Sequence, residues 1–206
     1  RARFVHVVRD PRAVASSLAR SDAHRLHVLY GARRWAQDTA LGLELEAGHP
    51  GRVMRVRYED LVSDPEPVMR ALCDFLGLGF EPQVVTAEGG GLQLTPKELD
   101  RGHHDNVDRP IDASFTEKWR SQLAPREVRM VEHVAGDVMR ELGYEPAATG
   151  RPSRRDLTEA RLAHLQTSVR KAIEEVTQRP DVWRIARRRW RLGSLQKMVR
   201  DHVAGM

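Results

Sequence analysis

Two short apolar runs, each followed by segments with helical spacing, dominate the first part of the chain. Residues 4–8 are apolar except for His6, and so short and dense a run predicts a strand buried on both faces, as in a parallel sheet. Residues 53–58 form the second predicted strand, which ends on Tyr58. Each run is therefore expected to end at an edge of the sheet where a loop or helix follows.

Helical segments lie between and after these strands. Asp10-Pro11 predicts a helix start, because Asp is a good N-cap and Pro lacks the N–H that the first helical position leaves unpaired. Asp64-Pro65 predicts another start in the same way, and Ser114-x-x-Glu117 is a capping box that predicts a helix through Trp119. The predicted helices are about 11–21, 30–47, 65–77, 114 onward and 125–143.

The order strand, helix, helix, strand, helix is typical of an α/β fold with a parallel sheet. Residues 86–112 are rich in Gly, His and Asp and predict a long irregular segment, a feature that is usually functional or disordered. The chain opens at Arg1 with a strand pattern almost at once, so we expect it to be the C-terminal portion of a longer domain.

The composition changes after Pro146. Residues 150–153 predict a linker, followed by two helices at about 155–178 and 181–203 with a break at Pro180. Apolar residues recur in the first of these helices at spacings of three and four, at Leu162, Leu165, Val169, Ala172 and Val176. We therefore expect two parts, an α/β domain over 1–148 and a helical extension over 149–206.

The charge is concentrated in this extension. The chain of 206 residues carries a net charge of +5, and residues 151–206 hold fourteen Arg or Lys against six Asp or Glu. No apolar run approaches the ~20 residues that cross a bilayer, and no signal peptide is visible, so we expect a cytoplasmic protein. The single Cys73 excludes a disulfide within the chain.

Arg9 and Ser17 are the first candidate binding residues. Arg9 follows the first strand, where ligands bind in parallel sheets, and a guanidinium suits phosphate. By pattern alone, Arg9 could equally pair with a structural carboxylate and Ser17 could be a packing residue. The segment resembles the 3′-phosphate-binding segment of the PAPS-dependent sulfotransferases, in which an Arg and a Ser eight residues later bind the donor PAPS (3′-phosphoadenosine 5′-phosphosulfate).

Two further segments extend the resemblance. Residues 57–65, Arg-Tyr-Glu-Asp-Leu-Val-Ser-Asp-Pro, resemble the family segment whose Tyr lies against the adenine, which assigns that role to Tyr58. Residues 109–119 and the Leu-Gly-Tyr-x-Pro at 142–146 resemble the protein-tyrosine sulfotransferases, so Lys118 and Arg109 become candidate donor contacts. The same resemblance implies a P-loop-type parallel sheet, of which this chain holds a part.

The resemblance implies an enzyme that transfers a sulfuryl group from PAPS to a hydroxyl or amine acceptor: a peptide tyrosine, carbohydrate, lipid or small molecule. In the family the 5′-phosphate loop and the catalytic base precede this segment, so the catalytic residues are unknown here and the chain alone is expected to be inactive. We expect no metal, because adjacent histidines such as His103 and His104 rarely bind one ion together.

A second hypothesis is a non-catalytic binding module. The basic helical tail would then dock an anionic partner, a membrane or nucleic acid, or mediate a homodimer. Nucleic acid is the weakest of these, because the α/β part has no basic stripe with interleaved aromatic residues.

Overall fold

The computed structural model describes residues 2–21, 27–85 and 113–178, with side chains described as far as residue 169. By compactness the chain divides into two units, residues 1–161 and 162–206. The described elements are β1 (Phe4–Val8), α1 (Pro11–Arg20), α2 (Val28–Gly48), β2 (Val53–Arg57), α3 (Tyr58–Ser63), α4 (Pro65–Leu76), α5 (Trp119–Gln122), α6 (Pro125–Glu141) and α7 (Arg154–Gln178), with 3₁₀ turns at Pro82–Val84 and Ala113–Thr116.

Strands β1 and β2 pair in parallel, as the sequence predicts. The register runs from Phe4 opposite Val53 to Val8 opposite Arg57. Because the two strands end side by side, the residues that follow them, Arg9 and Tyr58, leave the same edge of the sheet.

The prediction that β1 is buried on both faces is wrong. Val8 is 2% exposed, but Val7 is 57% exposed and Val5 38%. Helix α2 covers the face that carries His6, whose ring lies against Gly42, while Val7 points to the opposite face. Within the described residues β1 has one neighbouring strand, and Val5 and Val7 on that second face stay exposed.

Helix starts follow the predicted chemistry in part. The Asp10 carboxylate caps α1 by accepting from the Arg12 N–H at 2.7 Å, with Pro11 in the first position. Helix α4 also starts on a Pro and ends at Gly77, whose φ of +76° is a conformation that Gly adopts without strain. Asp64, however, makes no side-chain bond to α4.

Two predicted boundaries are wrong. Tyr58 is the first residue of α3 and not the last residue of β2, and the acidic Glu59 and Asp60 in that first turn favour a helix N-terminus. Residues 114–117 open no long helix; a 3₁₀ turn at Ala113–Thr116 precedes the single turn of α5.

The core of the first unit lies where α1, α2 and α6 meet. Ala13 and Ala15 pack with residues such as Ala32 and Val131 there, and α2 approaches α1 so closely that a Cβ on Gly31 would lie 3.1 Å from the Ala15 Cα. A second cluster joins the sheet to α2 and α6. Its buried members are Val8, Trp35, Ala135, Met139, Leu142 and Tyr144.

Helix α7 begins within the first unit. Ala160 is buried in the first cluster and Leu157 packs against it. In the second unit, Leu162, Leu165 and Val169 are all more than half exposed. The predicted boundary at 148/149 stays a prediction, and the helix predicted at 181–203 lies outside the described residues. Among the described helices, none combines the length and apolarity that a membrane span requires.

Candidate functional site

Arg9, directly after β1, lies against aromatic and backbone groups from two other segments. Its guanidinium carbon is 4.1 Å from the centre of the Tyr58 ring, and its Nη2 donates to the Phe115 carbonyl oxygen at 2.8 Å. Its Nε is buried and has no hydrogen-bond partner within the described residues. Arg9 is thus a stacked cation that retains an unused buried donor.

Lys118 approaches the same group of residues from the segment before α5. Its ammonium nitrogen is 3.3 Å from the centre of the Phe115 ring, whose backbone carbonyl binds Arg9. Arg9 and Lys118 therefore both contact Phe115, and Arg9 also contacts Tyr58, although Arg9, Tyr58 and Lys118 are far apart in sequence. The sequence did not indicate a role for Phe115, because an aromatic residue in this segment could equally be an ordinary core residue.

The other predicted residues are not part of this arrangement in the described structure. Ser17 is exposed on α1, and its backbone carbonyl accepts from the Ser21 N–H. Its neighbour Ser16 is buried and donates its hydroxyl to Gln122 at 2.7 Å. Arg109 lies outside the described residues, as do His103 and His104. The binding roles of all five predicted residues stay predictions.

Arg12, three residues after Arg9, is a structural arginine that the sequence reasoning missed. Its Nε and Nη2 donate to the Asp10 carboxylate, and its Nη1 donates to Glu132 at 2.8 Å and to the Glu145 carbonyl at 3.1 Å. The guanidinium also lies 4.2 Å from the Trp119 ring centre. Burial alone would lower the pKa of Arg12, but its hydrogen bonds and ion pairs with Asp10 and Glu132 outweigh burial and raise it. Arg12 therefore ties α1 to α6 and has little capacity left for a ligand.

The peptide between Arg9 and Asp10 is held on both sides. The indole Nε1 of Trp35 donates to the Arg9 carbonyl at 2.9 Å, and the Asp10 N–H donates to Glu59 Oε1 at 2.9 Å. Glu59 also accepts from the Tyr144 hydroxyl at 2.9 Å. Sequence reasoning quoted Glu59 within its segment without assigning it a role, and only its position after a predicted strand end could have indicated one.

Tyr144 keeps its proton in this environment. Burial, followed by the charge and the hydrogen bond of Glu59, raises the pKa of the Tyr144 hydroxyl well above its ordinary value. Arg57 lies 4.2 Å from the Tyr144 ring centre and 3.5 Å from Glu59. The hydroxyl is therefore a permanent donor to Glu59 at neutral pH.

A polar cleft of about 210 Å³ adjoins these residues. Its lining residues come from the strand ends, the 3₁₀ turn and the segment after α6: Asp10, Arg12, Arg57, Glu59, Thr116, Glu117, Arg120, Gly143, Tyr144 and Glu145. Its cations are paired, Arg57 with Glu59 and Arg120 with Glu117, and Arg9 is not in its lining. Within the described ranges, no group of three His, Cys, Asp or Glu could hold a metal ion.

Sequence comparison shows that this chain is similar to sulfotransferases. The model of the sulfotransferase family matches residues 1–82. Mouse (Mus musculus) carbohydrate sulfotransferase 5 is 30% identical over 169 residues, which cover 69% of this chain and 41% of the relative. Protein-tyrosine sulfotransferase 1 of Danio rerio is 31% identical over 167 residues, which cover 73% and 45%.

A solved structure supports the fold. The sulfotransferase domain from the curacin biosynthetic pathway matches with a TM-score of 0.55 at 24% identity, over 69% of this chain and 54% of that one. The predicted partial α/β sulfotransferase fold is thereby confirmed. The chain spans less than half the length of the curated relatives described above.

Proposed function

Because this chain is related to the sulfotransferase family, we propose that it is part of an enzyme that transfers a sulfuryl group from PAPS to a hydroxyl or amine acceptor. In this proposal the chain supplies the 3′-phosphate and adenine side of the donor site. The observation that supports it most directly is Arg9, a guanidinium at the carboxyl end of a parallel strand with a buried Nε that has no partner among the described residues.

Arg9 fits a phosphate better than its neighbour does. Its Nε has no partner among the described residues, whereas the donors of Arg12 are committed to carboxylates and a carbonyl. A phosphate oxygen on the Arg9 Nε would remove a buried unpaired donor, which otherwise costs about 1–3 kcal/mol. We assign Ser17, on the following helix, a second contact to the same phosphate.

Tyr58 is proposed as the wall for the adenine. Arg9 lies over one face of its ring, so a purine would stack on the other face. Lys118 is exposed next to Phe115, and we propose that it contacts a phosphate of the donor. The family resemblance makes Arg109 a second candidate for such a contact. These roles come from the family resemblance, and the convergence of Arg9, Tyr58 and Lys118 supports them.

Sulfuryl transfer needs more than donor binding. An acceptor oxygen attacks sulfur while negative charge builds on the leaving nucleotide, so the reaction requires positioning, positive charge and a general base. The residues of this chain position the donor, and we assign none of them as the base. We therefore propose that the chain by itself has no turnover.

The acceptor is proposed at the level of its chemistry. The relatives are named for carbohydrate and protein-tyrosine sulfotransfer, and both acceptors present a hydroxyl group. We propose a hydroxyl-bearing acceptor for this enzyme as well. The cytoplasmic location and a homodimer or anionic surface formed by the tail stay predictions.

Calorimetric titration with two nucleotides tests the proposal. PAP (the donor without its sulfuryl group) carries the 3′-phosphate, and 5′-AMP is the same nucleotide without it. We expect the wild-type chain to bind PAP about 10-fold or more tightly than 5′-AMP, because a charge-assisted bond to phosphate contributes about 1.5–3 kcal/mol. Equal affinity for the two nucleotides, or no binding of PAP, would contradict the proposed function.

A further inference from the structure

The Arg9–Asp10 peptide unit is fixed at both of its polar ends by side chains from two different helices. The indole N–H of Trp35, on α2, holds the carbonyl oxygen, and the carboxylate of Glu59, on α3, holds the N–H, each at 2.9 Å. A rotation of this peptide plane would break at least one of the two bonds. We call Trp35, Glu59 and the peptide between them the peptide clamp.

The clamp is itself rigidly supported. Trp35 is 6% exposed and meets the Tyr144 ring edge to face, with ring centres 6.5 Å apart. Glu59 is held by the Tyr144 hydroxyl at 2.9 Å and lies 3.5 Å from the Arg57 guanidinium. Trp35 is buried and Glu59 is half-buried with its carboxylate bonded to two donors, so we infer that they hold the backbone of Arg9 in one orientation.

We propose that Trp35 and Glu59 are positioning residues, which hold the Arg9 backbone so that its guanidinium stays between the Tyr58 ring and the Phe115 carbonyl. This inference rests on the proposed function, since it assigns the two residues to the same phosphate site. Neither residue touches the donor in this arrangement. With the peptide free to rotate, Arg9 would spend less time in the binding geometry, and phosphate affinity would fall by that fraction.

Substitutions in the clamp, each titrated with PAP and with 5′-AMP, test this inference. Trp35→Phe keeps the ring but removes the indole donor, and we expect it to weaken PAP binding roughly 3- to 10-fold and leave 5′-AMP binding unchanged. Glu59→Ala is expected to act in the same way. Glu59→Gln should restore most of the PAP affinity, because its amide oxygen still accepts from the Asp10 N–H.

A double-mutant cycle separates positioning from general stability. If Trp35 acts through Arg9, then Trp35→Phe should change PAP affinity by less than about twofold once Arg9 is already Ala. The control is Glu46→Gln, near the C-terminal end of α2, which removes the ion pairs of Glu46 with His6 and Arg55. We expect this variant to be less stable but to bind PAP as the wild type does. Should Glu59→Ala fail to fold, the Trp35→Phe cycle still decides.

The outcomes separate the two proposals. Equal weakening of PAP and 5′-AMP, or full additivity of Trp35→Phe with Arg9→Ala, would overturn the clamp while the proposed function stands. A wild-type chain that does not prefer PAP to 5′-AMP would overturn the proposed function, and the clamp would lose the ligand it is proposed to serve.

Discussion

Arg9 and Arg12 have identical side chains, but their different contacts give them different roles. Arg12 is enclosed by Asp10 and Glu132 and stabilises the packing of α1 on α6. Arg9, at the same turn, stacks on an aromatic ring and keeps a buried donor unused. The sequence indicates a basic residue near a strand end, but both arginines fit that description. The carboxylates of Asp10 and Glu132 distinguish them, and Glu132 lies 120 residues from Arg12 in sequence.

Glu46 should make the stability of the folded chain depend on pH. It accepts hydrogen bonds from Arg55 and the His6 ring; burial alone would raise its pKa, but these partners outweigh burial and lower it below the ordinary 4.5. A carboxylate with a lowered folded-state pKa contributes stability above its unfolded pKa, and that contribution is lost as the pH falls through the folded value. We therefore expect Glu46→Gln to be less stable than the wild type at pH 7.

The difference between the two proteins should shrink below about pH 4, where the carboxylate of the unfolded wild-type chain takes up its proton. Urea unfolding at pH 7 and at about pH 3 measures it. A gap that is the same at both pH values would show that the Glu46 charge contributes nothing to stability.

Two helical glycines form a matched pair for a packing test. A Cβ on Gly42 would lie 2.1 Å from the His6 ring, which is itself bound to Glu46, whereas a Cβ on Gly136 meets nothing within 4 Å. We expect Gly42→Ala to cost about 1–3 kcal/mol through overpacking. Gly136→Ala should instead stabilise α6 by up to about 1 kcal/mol. Chemical denaturation of both variants checks this, and a Gly42→Ala variant that is as stable as Gly136→Ala would contradict the packing described.

Among the elements, the parallel strand pair and five of the helices (α1, α2, α4, α6 and α7) follow from local pattern and helix-start chemistry. Pro11, Pro65 and Pro125 each stand in the first helical turn, as predicted. Tyr58 was misplaced because a strand and an acidic helix start follow one another with no intervening loop. The capping-box pattern at 114–117 was over-interpreted, since local hydrogen bonds there form a 3₁₀ turn that packs beside α3.

Two adjacent valines of β1 differ in burial and should therefore differ in their contribution to stability. Val7 and Val8 have the same strand propensity, but Val7 is 57% exposed and Val8 2%. We expect Val8→Ala to destabilise the chain by about 2 kcal/mol and Val7→Ala by less than about 0.5 kcal/mol, because only Val8 is removed from water and from its packing partners. Comparable losses in urea unfolding would mean that the exposed face of β1 is covered in solution.

At the scale of the whole molecule, the order of elements predicted the α/β class, but it did not predict which layer covers which strand. The apolar run of β1 indicated two covered faces, and the described residues cover one. Packing between distant segments, such as Glu132 with Arg12 or Phe115 with Arg9, has no local signal and needs the folded chain. The site shows the same limit. The sequence predicted candidate ligand-binding residues such as Arg9, but not Trp35 and Glu59, whose side chains bond to the Arg9–Asp10 peptide.

Truncation tests where the first unit ends. Ala160 is 1% exposed and Leu157 packs beside it, so the first turns of α7 belong to the core cluster of α1, α2 and α6. We expect a chain ending at 161 to be about 1–3 kcal/mol more stable to urea than one ending at 150, because the shorter chain uncovers that cluster. Equal stability of the two chains would support a boundary near 148/149 instead.

If Arg9 binds the 3′-phosphate of the donor, removal of its guanidinium must weaken PAP binding, and calorimetry of Arg9→Ala measures that loss. The matched control is Arg34→Ala, which removes the same charge from an exposed position on α2, where Arg34 pairs with Asp38. We predict that Arg9→Ala weakens PAP binding about 10- to 150-fold, corresponding to about 1.5–3 kcal/mol, and abolishes the preference for PAP over 5′-AMP, while Arg34→Ala binds as the wild type does. Unchanged PAP affinity in Arg9→Ala, or an equal loss in Arg34→Ala, would contradict the account.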